Sequence, residues 1–374
     1  MAKLDEIVKT INKKYGFDIV GKIEVKKRSF DTFPFRTPAL TFLFRGGMPR
    51  TIIELLGLPS SGKSSLCYSI CGSAQKVLKE EYEEEINALQ ELKKPSKEEK
   101  ERLAYLLDRG AKKVAYLDSE FSSDEEWMAK NGVNVDELLY IAPENQTAEQ
   151  LFQIILDLIS SDGVGLVVID SIPALVSQQA MEKTMEEKTY AGISAPLSLF
   201  CQKVLPLCNK YKTSIIGVNQ QRDDMAGFHR IISPGGKMWK HTAFIRILLK
   251  KGNYYDNNYK ELNAHPEEAY GNLVEVEVIK NKATKPDRHL CKFSITYDCG
   301  VDGLNDTFEM AVALNIIDKG GAWYSILDED KKPKEYNGTT LKFQGKKNFI
   351  AFMKENPDFA DELRKQVEEA VEKD

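Results

Sequence analysis

Residues 57–64 read Gly57-Leu58-Pro59-Ser60-Ser61-Gly62-Lys63-Ser64, a complete G-x-x-x-x-G-K-S phosphate loop. The apolar run Ile52-Ile53-Glu54-Leu55-Leu56 precedes it and reads as a buried strand, and Ser64-Ser65-Leu66 opens a helix. That strand–loop–helix context commits the chain to an α/β fold with a nucleoside triphosphate site, and argues against a Gly-Ser turn beside a solvated lysine. Gly57 and Gly62 let the backbone wrap so that successive N–H groups converge on phosphate oxygens. Pro59, Ser60, Ser61 and Ser65 belong to the same cradle, and the helix N-terminus adds positive potential. Lys63 is placed to reach the β and γ phosphates, and the Ser64 hydroxyl to bind Mg²⁺.

Four runs read as central strands: 52–56, 114–117, 166–169 and 214–218. Near-continuous apolar runs separated by helical stretches imply a mostly parallel sheet covered on both faces. Ligands of such sheets bind beyond the carboxyl ends of the strands. Here those ends are the phosphate loop, Asp118-Ser119-Glu120, Asp170-Ser171 and Asn219-Gln220. A single polar strand end means little, but four on one edge define a site. Asp170 suits a second contact to Mg²⁺, usually through water, and Glu120 suits a general base for the attacking water. Gln220 is an uncharged amide placed to sense the γ-phosphate. Two long polar loops follow, Gln178 to Gly192 with Met181, Met185 and Tyr190, and Gln221 to Lys237 with Arg222, Phe228, Arg230, Gly235 and Gly236. Cations mixed with flat or flexible apolar side chains suit a groove for single-stranded nucleic acid. A lid over a small substrate has a similar composition.

The net charge of −5 excludes a polycation, so any nucleic-acid surface must be local. The six cysteines form no C-x-x-C pair; they read as small buried hydrophobes in a reducing cytosol, without zinc. Met1-Ala2-Lys3-Leu4-Asp5-Glu6 carries no secretory h-region, and no apolar stretch is long enough to span a bilayer.

Residues 1–33 read as an amphipathic helix (Leu4, Ile7, Val8, Ile11) ended by Gly16, then an extended stretch at 19–25. Residues 34–302 form the core. Within it, 79–110 reads as a charged, solvated helical hairpin, its second helix opened by a Ser96/Glu99 capping box. Alternating Val274, Val276 and Val278 suggest a half-exposed strand at the sheet margin. Residues 303–374 read as a small α/β domain, with a helix starting at Asn356-Pro357 and an apolar packing stripe of Phe359, Leu363, Val367 and Val371.

In this order the motifs resemble the RecA family of homologous-recombination ATPases, including its phage-encoded, UvsX-like members. The resemblance runs from about residue 5 to the C-terminus. It is carried by Gly57–Ser64, Tyr116-Leu-Asp-Ser-Glu120, Val167-Val-Ile-Asp-Ser171, Val218-Asn-Gln220, Gly235-Gly236, Val278-Ile-Lys-Asn-Lys282 and Gly321-Ala-Trp-Tyr-Ser325. It implies a RecA-type core with an N-terminal helix–strand arm that packs on a neighbour. ATP and Mg²⁺ are the implied cofactors. Glu120 then matches the water-activating glutamate, Asp124 an acidic residue near the adenine, and Gln220 the switch to the DNA loop. Lys280 and Lys282 match lysines that reach ATP on the adjacent subunit. The implied partners are single-stranded DNA, double-stranded DNA, other copies in a helical filament, and single-strand-binding and mediator proteins. Three features depart from the bacterial pattern: the hairpin, the longer segment between Lys250 and Gly271, and His241 in place of an aromatic residue.

The resulting expectation is a cytosolic DNA-dependent ATPase that polymerises on single-stranded DNA and exchanges strands with duplex DNA. The alternatives are a ring-forming helicase or loader on the same fold, a lidded metabolic kinase, and a non-catalytic relative. The last would lack Lys63 or Glu120, and this chain has both.

Overall fold

A computed structural model describes residues 6–7, 9–10, 13–14, 30–184, 192–221, 234–262 and 269–373. The chain divides into two units, residues 1–30 and 31–374. In the first, residues 6–7, 9–10 and 13–14 are helical, and the Thr10 hydroxyl donates to the Glu6 carbonyl at 2.8 Å. Leu4, Val8, Ile11, Gly16 and the extended stretch 19–25 lie outside the described residues.

The second unit is built on a ten-stranded sheet: β1 (Ile52–Gly57), β2 (Lys113–Asp118), β3 (Leu139–Ile141), β4 (Val164–Asp170), β5 (Ser214–Gln220), β6 (Ile245–Tyr255), β7 (Glu261–Leu262), β8 (Gly271–Asn281), β9 (Leu290–Thr296) and β10 (Gly300–Val301). Their order is β10-β9-β8-β6-β1-β5-β4-β2-β3, with β7 paired to β6. From β6 to β3 the pairing is parallel; β8, β9 and β10 continue it as an antiparallel wing.

Helices cover both faces. They are α1 (Pro38–Phe44), α2 (Lys63–Gln90), α3 (Lys97–Arg109), α4 (Glu125–Lys130), α5 (Ala148–Ser160), α6 (Gln178–Met181), α7 (Ser194–Tyr211), α8 (Gly236–Thr242), α9 (Gly303–Ala313), α10 (Lys346–Glu355) and α11 (Pro357–Lys373). Side chains alternate across a strand, so each strand feeds two cores. Ile53, Leu55, Val168 and Val218 pack under Leu66, Ile70 and Leu78 of α2. Ile52, Leu117, Val167 and Ile215 pack against Leu151 and Ile155 of α5 and Phe200 and Val204 of α7. A third core joins Phe308 of α9 to Phe349 and Met353 of α10 and Phe359, Leu363 and Val367 of α11. Pro357 opens α11 as its sequence suggests, and its stripe is a packing face.

Two strand assignments change. β6 has no counterpart among the four central runs, yet it pairs directly with β1. Its apolar run is interrupted by Arg246, whose charge is neutralised inside the sheet. β8 keeps the expected alternation, with Val274, Val276 and Val278 buried, but it lies between β6 and β9, not at the margin. The edge belongs to the short β10.

The hairpin continues the phosphate-loop helix: α2 runs for 28 residues before α3 returns. The capping box is present, with Glu99 N–H donating to Ser96 Oγ at 3.2 Å and Ser96 N–H to Glu99 Oε2 at 2.6 Å. Arg102 pairs with Glu85 through two hydrogen bonds at 2.8 and 3.0 Å. Exposed pairs of this kind contribute about 0–1 kcal/mol, whereas burial of Ile86 and Leu106 contributes about 1.5–3 kcal/mol each, so apolar contact holds the hairpin down.

At its base, half-buried Asp162 receives Tyr105 Oη at 2.9 Å and Arg109 Nη1 at 2.7 Å, and pairs with Lys112. Burial pushes the Asp162 carboxyl up, but the hydrogen bonds from Lys112, Tyr105 and Arg109 outweigh it and hold the group below its ordinary value. A depressed carboxyl stabilises the fold above the unfolded-state value of about 3.9 and loses that contribution as pH falls through the folded value. Asp162→Asn is therefore expected to lower stability in urea unfolding at pH 7, with the deficit shrinking at pH 3. A deficit independent of pH counts against this role for Asp162.

Candidate nucleotide site

Parallel register brings the expected residues to one edge. Gly57 at the end of β1 pairs with Gln220 at the end of β5, and Asp118 at the end of β2 pairs with Asp170 at the end of β4. The phosphate loop turns back over β1. A Cβ at Gly57 would lie 2.4 Å from Ser61 Oγ and 2.5 Å from the Leu249 carbonyl, so only glycine fits. Ser60 and Gly62 take positive φ values of 59° and 89°.

Lys63, the first residue of α2, donates to the carbonyls of Gly57 at 3.2 Å and Leu58 at 2.8 Å. Burial lowers its pKa, and the nearby Asp170 and Glu120 act in the opposite direction. The Ser64 hydroxyl donates to Asp170 Oδ2 at 2.8 Å, and the Tyr116 hydroxyl donates to the same oxygen at 2.6 Å. Burial raises the Asp170 pKa, opposed by those two hydrogen bonds. The peptide joining Asp170 to Ser171 is cis.

Glu120 is exposed beside this group, hydrogen-bonded by the Ser171 hydroxyl and by Gln220 Nε2 at 3.5 Å. Its loop is shaped by buried Asp118, which accepts from the N–H groups of Glu120 at 3.1 Å and Ser123 at 2.9 Å and from the Tyr140 hydroxyl at 2.8 Å. Asp124 caps α4 by accepting from Trp127 N–H at 2.6 Å, and the Trp127 indole donates to Ser65 Oγ at 3.1 Å. The structure thus brings together Lys63, Ser64, Ser65, Glu120, Asp124, Asp170 and Gln220 on the phosphate edge.

The arrangement fits a triphosphate with Mg²⁺. Ser61 Oγ is buried without a hydrogen-bond partner, an orphan that a phosphate oxygen would satisfy. Among the described residues, the Lys63 ammonium hydrogen-bonds carbonyls of its own loop. Among the described residues no cluster of three or more His, Cys, Asp or Glu can hold a metal by itself.

Lys280 and Lys282 are not part of this edge. Lys280 pairs with Arg246, which pairs with Glu54, three residues back along β1 from Gly57 and two strands away. The three steps are on the order of 10 Å. Its ammonium donates to the carbonyls of Lys240 at 2.7 Å, His241 at 3.0 Å and Ala243, where α8 leads into β6. Lys282 is exposed at the same end.

Of the loop residues, Met181 and Lys237 are exposed, Gln221 N–H donates to the Gly57 carbonyl at 3.2 Å, and Gly235 and Gly236 begin α8 with φ of 96° and 76°. Met185, Tyr190, Arg222, Phe228 and Arg230 lie outside the described residues.

Sequence reasoning missed the group beneath the site. Glu54, fully buried in β1, accepts from Asn219 Nδ2 at 2.8 Å and pairs with Arg246; Asn219 Nδ2 also donates to the Pro234 carbonyl at 2.9 Å. A charged residue inside an apolar strand run was the available signal.

The fold and this edge define a P-loop nucleoside triphosphatase. The RecA N-terminal domain model matches residues 103–302 and the RecA C-terminal domain model residues 305–372. The chain is 31% identical to Protein RecA of Acidothermus cellulolyticus, covering 98% of this chain and 92% of that one. It is 29% identical to Protein RecA of Thermus aquaticus, covering 99% and 94%. The chain belongs to the RecA family. Among the described residues, no helix is long and apolar enough to cross a membrane.

Glu54→Ala leaves the Arg246 guanidinium, largely buried, without its carboxylate. Breaking a buried pair costs about 3–5 kcal/mol. Urea unfolding of the variant is expected to show a loss of that order, and a loss below about 1 kcal/mol would mean that the pair behaves as a surface contact.

Proposed function

We propose that this RecA-family chain is a DNA-dependent ATPase that assembles on single-stranded DNA with ATP and Mg²⁺ and catalyses homologous pairing and strand exchange with duplex DNA. The observation that carries this reading is the hydrogen-bonded link from Glu120 to Ser171 and Gln220, beside Lys63, Ser64 and Asp170, at the root of a long loop. Bound Mg²⁺ supplies charge neutralisation on the phosphates. Lys63 exchanges its loop carbonyls for phosphate oxygens. Ser64 donates its hydroxyl hydrogen bond to Asp170, so its oxygen lone pairs would be free to hold the cation, and Asp170 would make the second contact through water. Glu120 orients the attacking water and takes its proton. Asp124, at the cap of α4, lies on the same edge and borders the adenine.

Gln220 joins Glu120 to the chain that continues through Gln221, so occupancy of the γ-phosphate position is felt at the start of the loop. The loops 178–192 and 221–237 hold single-stranded DNA, through Met181, Met185, Tyr190, Gln221, Arg222, Phe228, Arg230, Gly235, Gly236 and Lys237. Lys280 and Lys282, remote from the phosphate edge of their own chain, serve the site of the next copy. A head-to-tail contact of that kind, unclosed, builds an open helical filament. Residues 1–33 form the arm that packs on a neighbour, 34–302 the ATPase core and 303–374 the C-terminal domain. The ordered motifs from Gly57–Ser64 to Gly321–Ser325 also resemble those of the phage-encoded, UvsX-like branch, to which we assign the chain. The protein then works in the cytosol of a bacterium or phage-infected host, beside single-strand-binding and mediator proteins.

Lys63→Ala is expected to lose nucleotide binding. Glu120→Gln is expected to bind ATP but hydrolyse it about 10²–10⁴-fold more slowly. ATPase activity indifferent to single-stranded DNA and to subunit concentration would falsify the reading. With a slowly hydrolysed ATP analogue and single-stranded DNA, electron microscopy should show helical filaments; closed rings would instead mark a helicase or loader. Mixing Lys63→Ala with the double variant Lys280→Ala/Lys282→Ala, each inactive alone, should restore hydrolysis at interfaces that draw an intact set from each copy. No restoration rules out the shared site.

A further inference from the structure

We propose that Tyr116 is a positioning residue for the divalent cation, its phenol holding the Asp170 carboxylate in the orientation that accepts the Ser64 hydrogen bond. The role rests on the reading of Ser64 and Asp170 given above. Tyr116 sits in β2 among the aliphatic residues Val114, Ala115 and Leu117, and is fully buried. Its register partner on β4 is Val168. Asp170 lies two residues further on, hence on the same sheet face, within diagonal reach of an aromatic side chain. That face looks towards α2, whose first turn carries Ser64.

The phenol and the Ser64 hydroxyl converge on one oxygen, Oδ2, at 2.6 and 2.8 Å. Among the described residues no hydrogen bond reaches Oδ1. A hydroxyl that ligates a cation through its lone pairs must point its hydrogen elsewhere, and Oδ2 accepts the Ser64 hydrogen bond. With two donors fixed on Oδ2 the carboxylate is held against rotation, and Oδ1 stays uncommitted for a metal-bound water. The phenol is itself held: its ring packs on the ring of Tyr68 at 5.2 Å between centroids, a contact that Tyr68→Phe keeps. A tyrosine needing only a partner for a buried hydroxyl would satisfy itself on any acceptor. Tyr116 takes the one carboxylate that also serves the phosphate-loop serine.

The test is Tyr116→Phe, which removes one oxygen and keeps the ring. Binding of a fluorescent N-methylanthraniloyl-ATP to the full chain is titrated with Mg²⁺, and repeated in excess chelator. Outer partners of metal ligands commonly change metal affinity 10–100-fold. The half-saturating Mg²⁺ concentration is therefore expected to rise about tenfold, with metal-free affinity for the nucleotide unchanged. Tyr68→Phe, which deletes the neighbouring hydroxyl without touching Asp170, is expected to leave the Mg²⁺ titration where it was. An unchanged titration in Tyr116→Phe overturns the proposal, as does an equal shift in Tyr68→Phe. Failure of Tyr116→Phe to fold also overturns it, because the hydroxyl would then serve the fold. If nucleotide binding by the unaltered protein ignores Mg²⁺, the phosphate-site reading itself fails and Tyr116 with it.

Discussion

Parallel strand pairing is the constraint on which the rest of this molecule depends. In a parallel sheet all carboxyl ends emerge on one side, and the in-register pairing of Gly57 with Gln220 and of Asp118 with Asp170 sets those ends nearly level. Four backbone positions separated by as many as 163 residues (57 to 220) thereby reach one edge. The short side chains that do the work meet across that edge: Ser64 donates to Asp170 at 2.8 Å, and the Ser171 hydroxyl donates to Glu120. A slip of one residue in β4 would turn Asp170 to the opposite face, beneath α5 and α7, and dismantle the Ser64 and Tyr116 contacts together.

Beneath the edge, one buried carboxylate ties the strands that flank the phosphate loop. Glu54 lies in β1, Arg246 in β6 and Asn219 in β5, so the three consecutive strands are cross-linked by side chains as well as by backbone. Such a pair adds little net stability over apolar packing. What it adds is a connection: Asn219 also holds the Pro234 carbonyl, the first described residue after the loop that begins at Gln221. Both ends of that loop are therefore fastened to β5, one through Gln220 next to Glu120 and the other through Asn219. Trp239 in α8 is accommodated only because residue 217 is glycine; a Cβ there would stand 2.3 Å from the indole. The loop is thus anchored at its root and backed by a helix whose seat is cut into β5.

The phosphate loop, the four apolar strands and the capped hairpin were legible in the sequence because each depends on local chemistry. Gly57 and Gly62 announce a backbone turn, and Ser96 with Glu99 announces a helix start. β6 escaped because its pattern is broken by Arg246, and a charge loses its meaning as a surface marker once Glu54, 192 residues away, neutralises it. The wrong placement of β8 has a similar cause. Alternation reports that one face is wet, not that a strand is last in its sheet, and β9 and β10 close the wing beyond it. The contact between Tyr116 and Asp170 was illegible because it requires the register of β2 against β4, which no single segment encodes.

Lys280 joins these observations to assembly. An ammonium has three N–H donors, and in the single chain all three have carbonyl acceptors, at Lys240, His241 and Ala243. Those carbonyls end α8 and lead into β6, so the lysine caps the helix that backs the loop 221–237. Burial lowers the Lys280 pKa, with the charges of Lys282 and Arg246 adding to the effect and Glu54 opposing it. A neighbour's phosphate is a stronger acceptor, since hydrogen bonds between ionised partners are roughly twice as strong as neutral ones. On the proposed reading, engaging that phosphate withdraws the cap from α8. The helix end that gives up its cation then belongs to the copy that supplies the lysine.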